Sequence, residues 1–482
     1  MKSLLRWQLI SFVSRGLAMT VGIVQSIIIV RILSVGEYGL VTLATSIGSA
    51  FGIYQHLGLA SGSTREISSA QDNKEVFKIF VTSLAIRYFI TIPLAIILFF
   101  SSRYIAVNQY GNEALITPLK LFSAALLVQG VQSIFNSVIS GTQRFKQLFT
   151  YQVFVAIAGL FIYIPLIYFY GVNGYFYSLI LFTLLASVSL GTIALWPLRG
   201  SFAWPKKADF TRLLKDILSI SLAIYVIKII YTYWQKSGPL LLGVSYSPEA
   251  IGLFGFALLY ATKLMAVSDS VTDINLPVLS KKFVENIEEF KSLFVANFDK
   301  VFAFIVFAAV AAVFWVRDIF HLLIGSEKYD GSFPFVLPLV FAFILYSVVN
   351  IVVSSILIPA KMVKEMITGF LFMLVSTVGF YFTFNNVWGG LASMSYAMTF
   401  GVLVGLVILA FLSRRKLGFS FMRLSHVLLM FTGLLISLQV YTTFTATKVL
   451  AFLLGSVVYI GLVFLLKVVT KGDIVTLLRL RK

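Results

Sequence analysis

Fourteen times along this chain, a stretch of about twenty mostly apolar residues is closed by a short polar loop. The stretches begin near Leu9, Tyr38, Ile79, Leu115, Leu148, Gly174, Ile217, Ala250, Val301, Phe333, Met366, Gly389, Leu424 and Thr447. About twenty apolar residues in a helix match the hydrocarbon thickness of a bilayer. None of the stretches alternates as a barrel strand would, and in lipid a helix satisfies its own backbone. The expected fold class is all-α integral membrane, with about 14 transmembrane helices. Only 12% of the 482 residues are charged, against about 25% in a soluble chain, so most of the surface must face lipid. The first stretch, Leu9 to Leu33, is longer than a signal-peptide core and lacks a small-residue cleavage site, which makes it a retained span.

The net charge of +19 does not point to nucleic acid, because the basic residues sit in short loops between apolar stretches. Their placement instead sets orientation. With the N-terminus in the cytoplasm, most of the 38 Lys and Arg fall on the inner side, and each inner segment holds at least two. A multi-pass protein of the inner (cytoplasmic) membrane with both termini cytoplasmic is expected.

The chain also repeats itself. Ser34-Val35-Gly36-Glu37-Tyr38-Gly39-Leu40 recurs 213 positions on as Ser247-Pro248-Glu249-Ala250-Ile251-Gly252-Leu253. The same offset maps Ala44, Asn73, Glu75, Phe77 and Lys78 onto Ala257, Asn286, Glu288, Phe290 and Lys291, and Arg15 onto Lys228. Identities gathered on one offset indicate an internal duplication. Six spans per copy insert the same way up, so the copies are expected to be related by a pseudo-twofold axis along the membrane normal. The expected domains are a six-helix bundle over 1–198, a cytoplasmic linker over 199–216, a second six-helix bundle over 217–412, and two extra helices with a basic tail over 413–482. Phe210, Leu213 and Leu214 beside Lys206, Lys207, Arg212 and Lys215 read either as an amphipathic helix on the inner surface or as a solvated basic loop.

Polar residues within apolar spans carry most of the functional information, because lipid penalises them. Gln129, Gln132, Ser133, Asn136, Ser137 and Ser140 fall on one helical face. At an offset of 218, Gln129, Gln132, Asn136 and Ser137 map to Ser347, Asn350, Ser354 and Ser355. Paired stripes fit a shared water-filled cavity; interhelical hydrogen bonding is the plainer alternative. Arg15, Arg87, Lys228 and Lys263 also fall inside spans. Arg15 and Arg87 either snorkel to the headgroups or line the cavity, whereas Lys228 and Lys263 lie deeper and suit an anionic ligand. His56, Asp269 and Asp273 either neutralise these cations, bind a coupling proton or sodium, or pair structurally.

Signals for bond-breaking chemistry are missing. The chain has no cysteine and no phosphate-binding glycine loop, and its three histidines are scattered. No cofactor, no metal and no enzyme activity are expected, and the outer loops offer only Arg317, Asp318, His321 and Glu327 to a catalytic site.

Arg31-Ile32-Leu33-Ser34-Val35-Gly36-Glu37-Tyr38-Gly39 resembles the R-x-L-x-x-x-E-Y-G hallmark of polysaccharide flippases, the lipid-linked oligosaccharide translocases of the multidrug/oligosaccharidyl-lipid/polysaccharide (MOP) exporter superfamily. Gly58-Leu59 and Arg65-Glu66-Ile67 resemble that family's motif at the end of the second span, with its usual acid replaced around Gln55-His56. The resemblance implies two helical bundles around a cationic cavity that rock between inward- and outward-open states. It implies movement of an undecaprenyl-diphosphate-linked glycan to the outer leaflet. Relatives with cavity arginines on the first, second and eighth spans match Arg15 and Lys263; the second-span cation is missing. The expected partners are the lipid-linked glycan and the bilayer, with a glycan polymerase and glycosyltransferases as further candidates. Two other readings stay open: a cation-coupled small-molecule or multidrug exporter of the same superfamily, and an integral membrane glycan-polymerising enzyme.

Overall fold

The computed structural model describes residues 2–265, 268, 279, 282, 283, 285–438 and 446–470. Among these there is no β-strand. The chain divides into two compact units, Met1–Gly255 and Phe256–Lys482. A helix is present for each of the fourteen apolar stretches, and among the described residues eight of these helical runs are long and apolar enough to cross a membrane.

The first unit contains α1 (Lys2–Ile32), α2 (Val35–Gly52), α3 (Leu59–Ser69), α4 (Asn73–Tyr104), α5 (Ile116–Gly141), α6 (Phe145–Leu195), α7 (Lys207–Leu242) and the start of α8 (Pro248–Lys263). The hallmark motif explains the start of α2. Ser34 Oγ accepts the Glu37 N–H at 3.2 Å, and Glu37 Oε2 accepts the Ser34 N–H at 2.8 Å. This reciprocal capping box satisfies two of the amides that a helix start leaves open. In the second copy Pro248 opens α8, where its missing N–H costs nothing.

The two copies of the motif pack on each other. A Cβ on Gly39 would lie 1.8 Å from the Pro248 carbonyl oxygen, and one on Gly252 would lie 2.0 Å from that of Val35. Gly39 and Gly252 are repeat equivalents, and so are Val35 and Pro248. The contact is therefore reciprocal, and a local twofold relates α2 to α8. Near its axis, residues meet their own counterparts: Gly36 abuts Glu249, and Gly255 abuts Thr42.

Each unit repeats the other's backbone turns. At the offset of 218, Gln143 (φ 57°) matches Lys361 (φ 55°), Gly171 (φ 54°) matches Gly389 (φ 77°), and Gly200 (φ 81°) matches Gly418 (φ 73°). Left-handed φ is uncommon outside glycine, so three coincidences on one offset mark the duplication in three dimensions. Gly171 also separates the fifth and sixth spans, which otherwise run on as α6.

The apolar core of the first unit falls into two clusters. One joins Leu43, Ile47, Leu98, Phe122 and Leu126, and the other joins Leu59, Phe80, Ile86, Ile134 and Leu213. Along α4, Arg87 and Thr91 fall between Ile86 of one cluster and Leu98 of the other. The amphipathic stretch before the seventh span forms the first turns of α7 and continues into it without a break. Lys78 bonds Asp209 at 2.9 Å and ties these turns to α4.

The second unit contains the remainder of α8, then α9 (Ile287–Phe314), α10 (Val316–Ile324), α11 (Phe333–Val352), α12 (Val363–Trp388), α13 (Gly390–Leu417), α14 (Leu424–Ser437) and α15 (Ala446–Leu465). Asn286, the counterpart of Asn73, caps α9 by accepting from the Glu288 and Glu289 amides. Gly401 and Gly405 sit against Thr377 and Met373, so small residues let α12 and α13 approach closely. The last two helices pack against α9. Tyr459 donates to the Ala303 carbonyl at 2.9 Å, and Asp299 bonds both Arg423 and His426 at 3.0 Å. Lys448, 2% exposed, pairs with Asp318 of α10 at 2.5 Å.

Candidate functional site

The second span is not one helix. After α2 the chain makes a 3-10 turn over Ile53–Gln55, then passes through left-handed Leu57 (φ 41°) and Gly58 (φ 68°) before α3 begins. A non-glycine residue there stores backbone strain, of order 1–3 kcal/mol, that the surroundings must enforce. The break also frees carbonyls from the helical ladder. Arg87, about 21 Å along α4 at helical rise, fills that vacancy. Its Nη1 donates to the Gln55 carbonyl, and Nη1 and Nη2 lie 3.4 and 3.3 Å from His56 Nδ1. Thr91 donates to Gln55 Oε1 at 3.0 Å.

Arg87 is 1% exposed, and among the described residues no carboxylate pairs with it. Its Nε has no hydrogen-bond partner there. Arg87 therefore does not snorkel; it forms the buried floor of a polar layer. An arginine can only donate, so His56 Nδ1 accepts and the ring proton sits on Nε2. His56 and Lys228 are both exposed on this unit, and Lys228 and Arg87 both act electrostatically on His56. Tyr225 donates to the Tyr54 carbonyl at 3.1 Å, and Tyr54 and Tyr233 share a 2.9 Å hydroxyl contact. The result is a buried guanidinium in contact with an exposed imidazole, with phenols bonded to the same turn and the exposed Lys228 on the same unit. Such a cluster offers donors and positive charge to an anion.

Other residues singled out in the sequence are dispersed. Asp269, Asp273 and the side chain of Arg15 lie outside the described residues. Lys263 is half-buried in the second unit. Gln132 donates to the Thr183 carbonyl at 3.0 Å, and Ser137 to that of Ala60 at 3.0 Å, so both join α5 to neighbouring helices. Gln129 and Asn136 are half-buried on the same face. Ser347 and Ser354 are buried and bond carbonyls of their own helix, while Asn350 is half-buried. In the outer loop, Asp318 serves Lys448, while His321 Nε2 lies 3.0 Å from Asp330 Oδ1 with Glu327 close by. Sequence reasoning missed Asp330 and the roles of Gln55, Thr91 and Tyr225. The signal for the helix break was Gly58, a residue suited to positive φ.

Residues 28–334 match the family described as polysaccharide biosynthesis protein. The chain belongs to that family. A search of curated protein sequences finds no match. Among solved structures, the chain is similar to the lipid II flippase MurJ in an inward closed conformation: TM-score 0.71, 14% identity, covering 95% of this chain and 98% of that one. It is also similar to an inward-facing multidrug resistance MATE family transporter of the MOP superfamily: TM-score 0.65, 16% identity, covering 85% and 98%. A third similarity is to the eukaryotic MATE transporter AtDTX14: TM-score 0.61, 14% identity, covering 85% and 95%. At these identities the likeness establishes the fold. The chain is a multi-pass helical membrane protein with the fold of these structures.

Proposed function

We propose that the protein is a flippase that carries an undecaprenyl-diphosphate-linked oligosaccharide or polysaccharide repeat unit from the cytoplasmic to the outer leaflet by alternating access. The observation that carries this reading is Arg87: a buried cation without a described carboxylate partner, in contact with exposed His56, with Lys228 exposed on the same unit. A diphosphate supplies the missing negative charge. Lys228 and Arg87 attract it, with Arg15 and Lys263 in the same role; Gln129, Gln132 and Asn136 of the fourth span and Ser347, Asn350 and Ser354 of the tenth bond the sugars. No chemical bond changes. Energy comes from the membrane potential or from an ion, with His56, Asp269 and Asp273 as coupling groups. The proposed span count is fourteen, divided at 1–198, 199–216, 217–412 and 413–482, with both termini cytoplasmic in the inner membrane. Polymerase and glycosyltransferases act before or after it as separate partners.

Lys228→Gln tests this directly, because Lys228 is exposed and its loss leaves no cavity. Surface glycan, measured at equal protein level in cells lacking the native copy, should fall severalfold. Full export by Lys228→Gln combined with Arg87→Lys would overturn the anion-site reading. Drug resistance on expression with normal surface glycan would favour the exporter alternative.

A further inference from the structure

The second unit holds a cavity that the transport reading does not use. It has a volume of about 560 Å³ and lies where the start of α9, the turn before α14 and the residues past α15 meet. Among the described residues, four cations line it, Lys291, Lys300, Arg423 and Lys467, against one carboxylate, Asp299. That carboxylate is committed: Arg423 and buried His426 each bond one of its oxygens at 3.0 Å. Lys291 also bonds Glu288, whose side chain is 76% exposed. Among the described residues of the wall, cations outnumber carboxylates.

Two further observations show a built site. Lys467 holds a left-handed φ of 54°, fixed by bonds from Lys467 N to Phe464 O and Val468 N to Val463 O, both 3.0 Å. This strained cap ends α15 and turns Lys467 and Thr470 into the cavity wall. In addition, α14 begins at Leu424, directly after the lining Arg423, so the positive end of a helix dipole opens beside the cations. The cavity stands at the start of one membrane-length helix, Ile287–Phe314, and the end of another, Thr447–Leu465. That is the depth at which lipid headgroups lie, and basic pockets between spans recognise anionic headgroups.

We propose that this cavity binds the phosphate of an anion, carried on a membrane phospholipid or free in solution. It shares no residue with the Arg87 cluster, so it stands or falls separately from the flippase reading. The full chain is purified, stripped of lipid and titrated with phosphatidylglycerol, phosphatidylethanolamine or inorganic pyrophosphate, with binding read by native mass spectrometry. The comparison is among wild type, K291Q/K300Q/K467Q, and a control, K364Q/R414Q/R415Q, that removes three exposed cations elsewhere in the unit. Phosphatidylglycerol bound by wild type and control, and roughly tenfold or more weaker in the cavity variant, assigns the site to lipid. Pyrophosphate following that pattern, with no such difference for phosphatidylglycerol, assigns it to a soluble phosphate. Equal binding by all three proteins, or no binding of either anion by wild type, overturns the proposal. If the triple variant does not elute as folded protein, K467Q alone decides. This residue is exposed beyond the last helix. Its binding should be roughly threefold weaker, and unchanged binding overturns the proposal.

Discussion

A single methyl group on Gly39 should be enough to pry apart the crossing of α2 and α8. The added Cβ would stand 1.8 Å from the Pro248 carbonyl oxygen and 2.9 Å from the Gly252 nitrogen. Ordinary contact begins near 3.4 Å, so the helices must separate locally by about 1.6 Å (3.4 minus 1.8). The obstacle is backbone, so no side-chain rotation relieves it. Overpacking costs about 1–3 kcal/mol, and the backbone clash places Gly39→Ala near the upper end. That is a factor of about 150 in the folded-to-unfolded ratio. Gly252→Ala meets the Val35 carbonyl at 2.0 Å and should cost about the same. Both clashes lie on one crossing, so the separation forced by the first relieves the second. The double variant should therefore cost clearly less than the sum. Unfolding of the purified protein in detergent, followed by helical signal, measures all three. Gly379→Ala is the control, since nothing lies within 4 Å of a Cβ there. If Gly39→Ala unfolds with Gly379→Ala, or if the double variant is additive, the reciprocal contact is wrong.

Asp318→Ala should destabilise the second unit by about 3–5 kcal/mol, because it removes the carboxylate paired with the buried Lys448 ammonium; the unfolding midpoint of the same preparation reads this, and a shift under 1 kcal/mol refutes it. At the start of α7, the hydrogen bond from Lys78 holds the Asp209 carboxyl below its ordinary value of 3.8. A depressed folded-state pKa gives stability that is present above that value and lost as pH falls through the carboxylate range. The gap in midpoint between wild type and Asp209→Asn should thus be present at pH 7 and close below about pH 4; a gap that widens on acidification contradicts the pairing.

Spans were the most legible part of the sequence, because lipid imposes a length and a composition that no soluble helix needs. The duplication was legible where side chains had kept their identity, at Gly39 and Gly252 or Asn73 and Asn286. It was invisible at Gln143 and Lys361, which share a backbone conformation and no side-chain chemistry. The helix break at 53–58 hid inside an apolar run because a hydropathy window averages over the turn that interrupts it. Arg87 showed as a cation in a span, but its depth depended on where α4 starts, and Asp72 and Asn73 place that start well before the apolar stretch. The stripe on α5 followed helical spacing as read. Spacing alone could not tell that Gln132 and Ser137 reach carbonyls of adjacent helices, since that depends on which helices are adjacent.

Asp299 and Asp318 receive their cations from Arg423, His426 and Lys448, all supplied by the final two helices and the turn that leads into them. A homologue that stops after twelve spans would inherit two acids without these partners. It must either replace them with neutral residues or recruit other bases, and the first course needs fewer changes. The residue types at these two positions should therefore predict, from an aligned sequence alone, whether a family member carries the terminal helix pair.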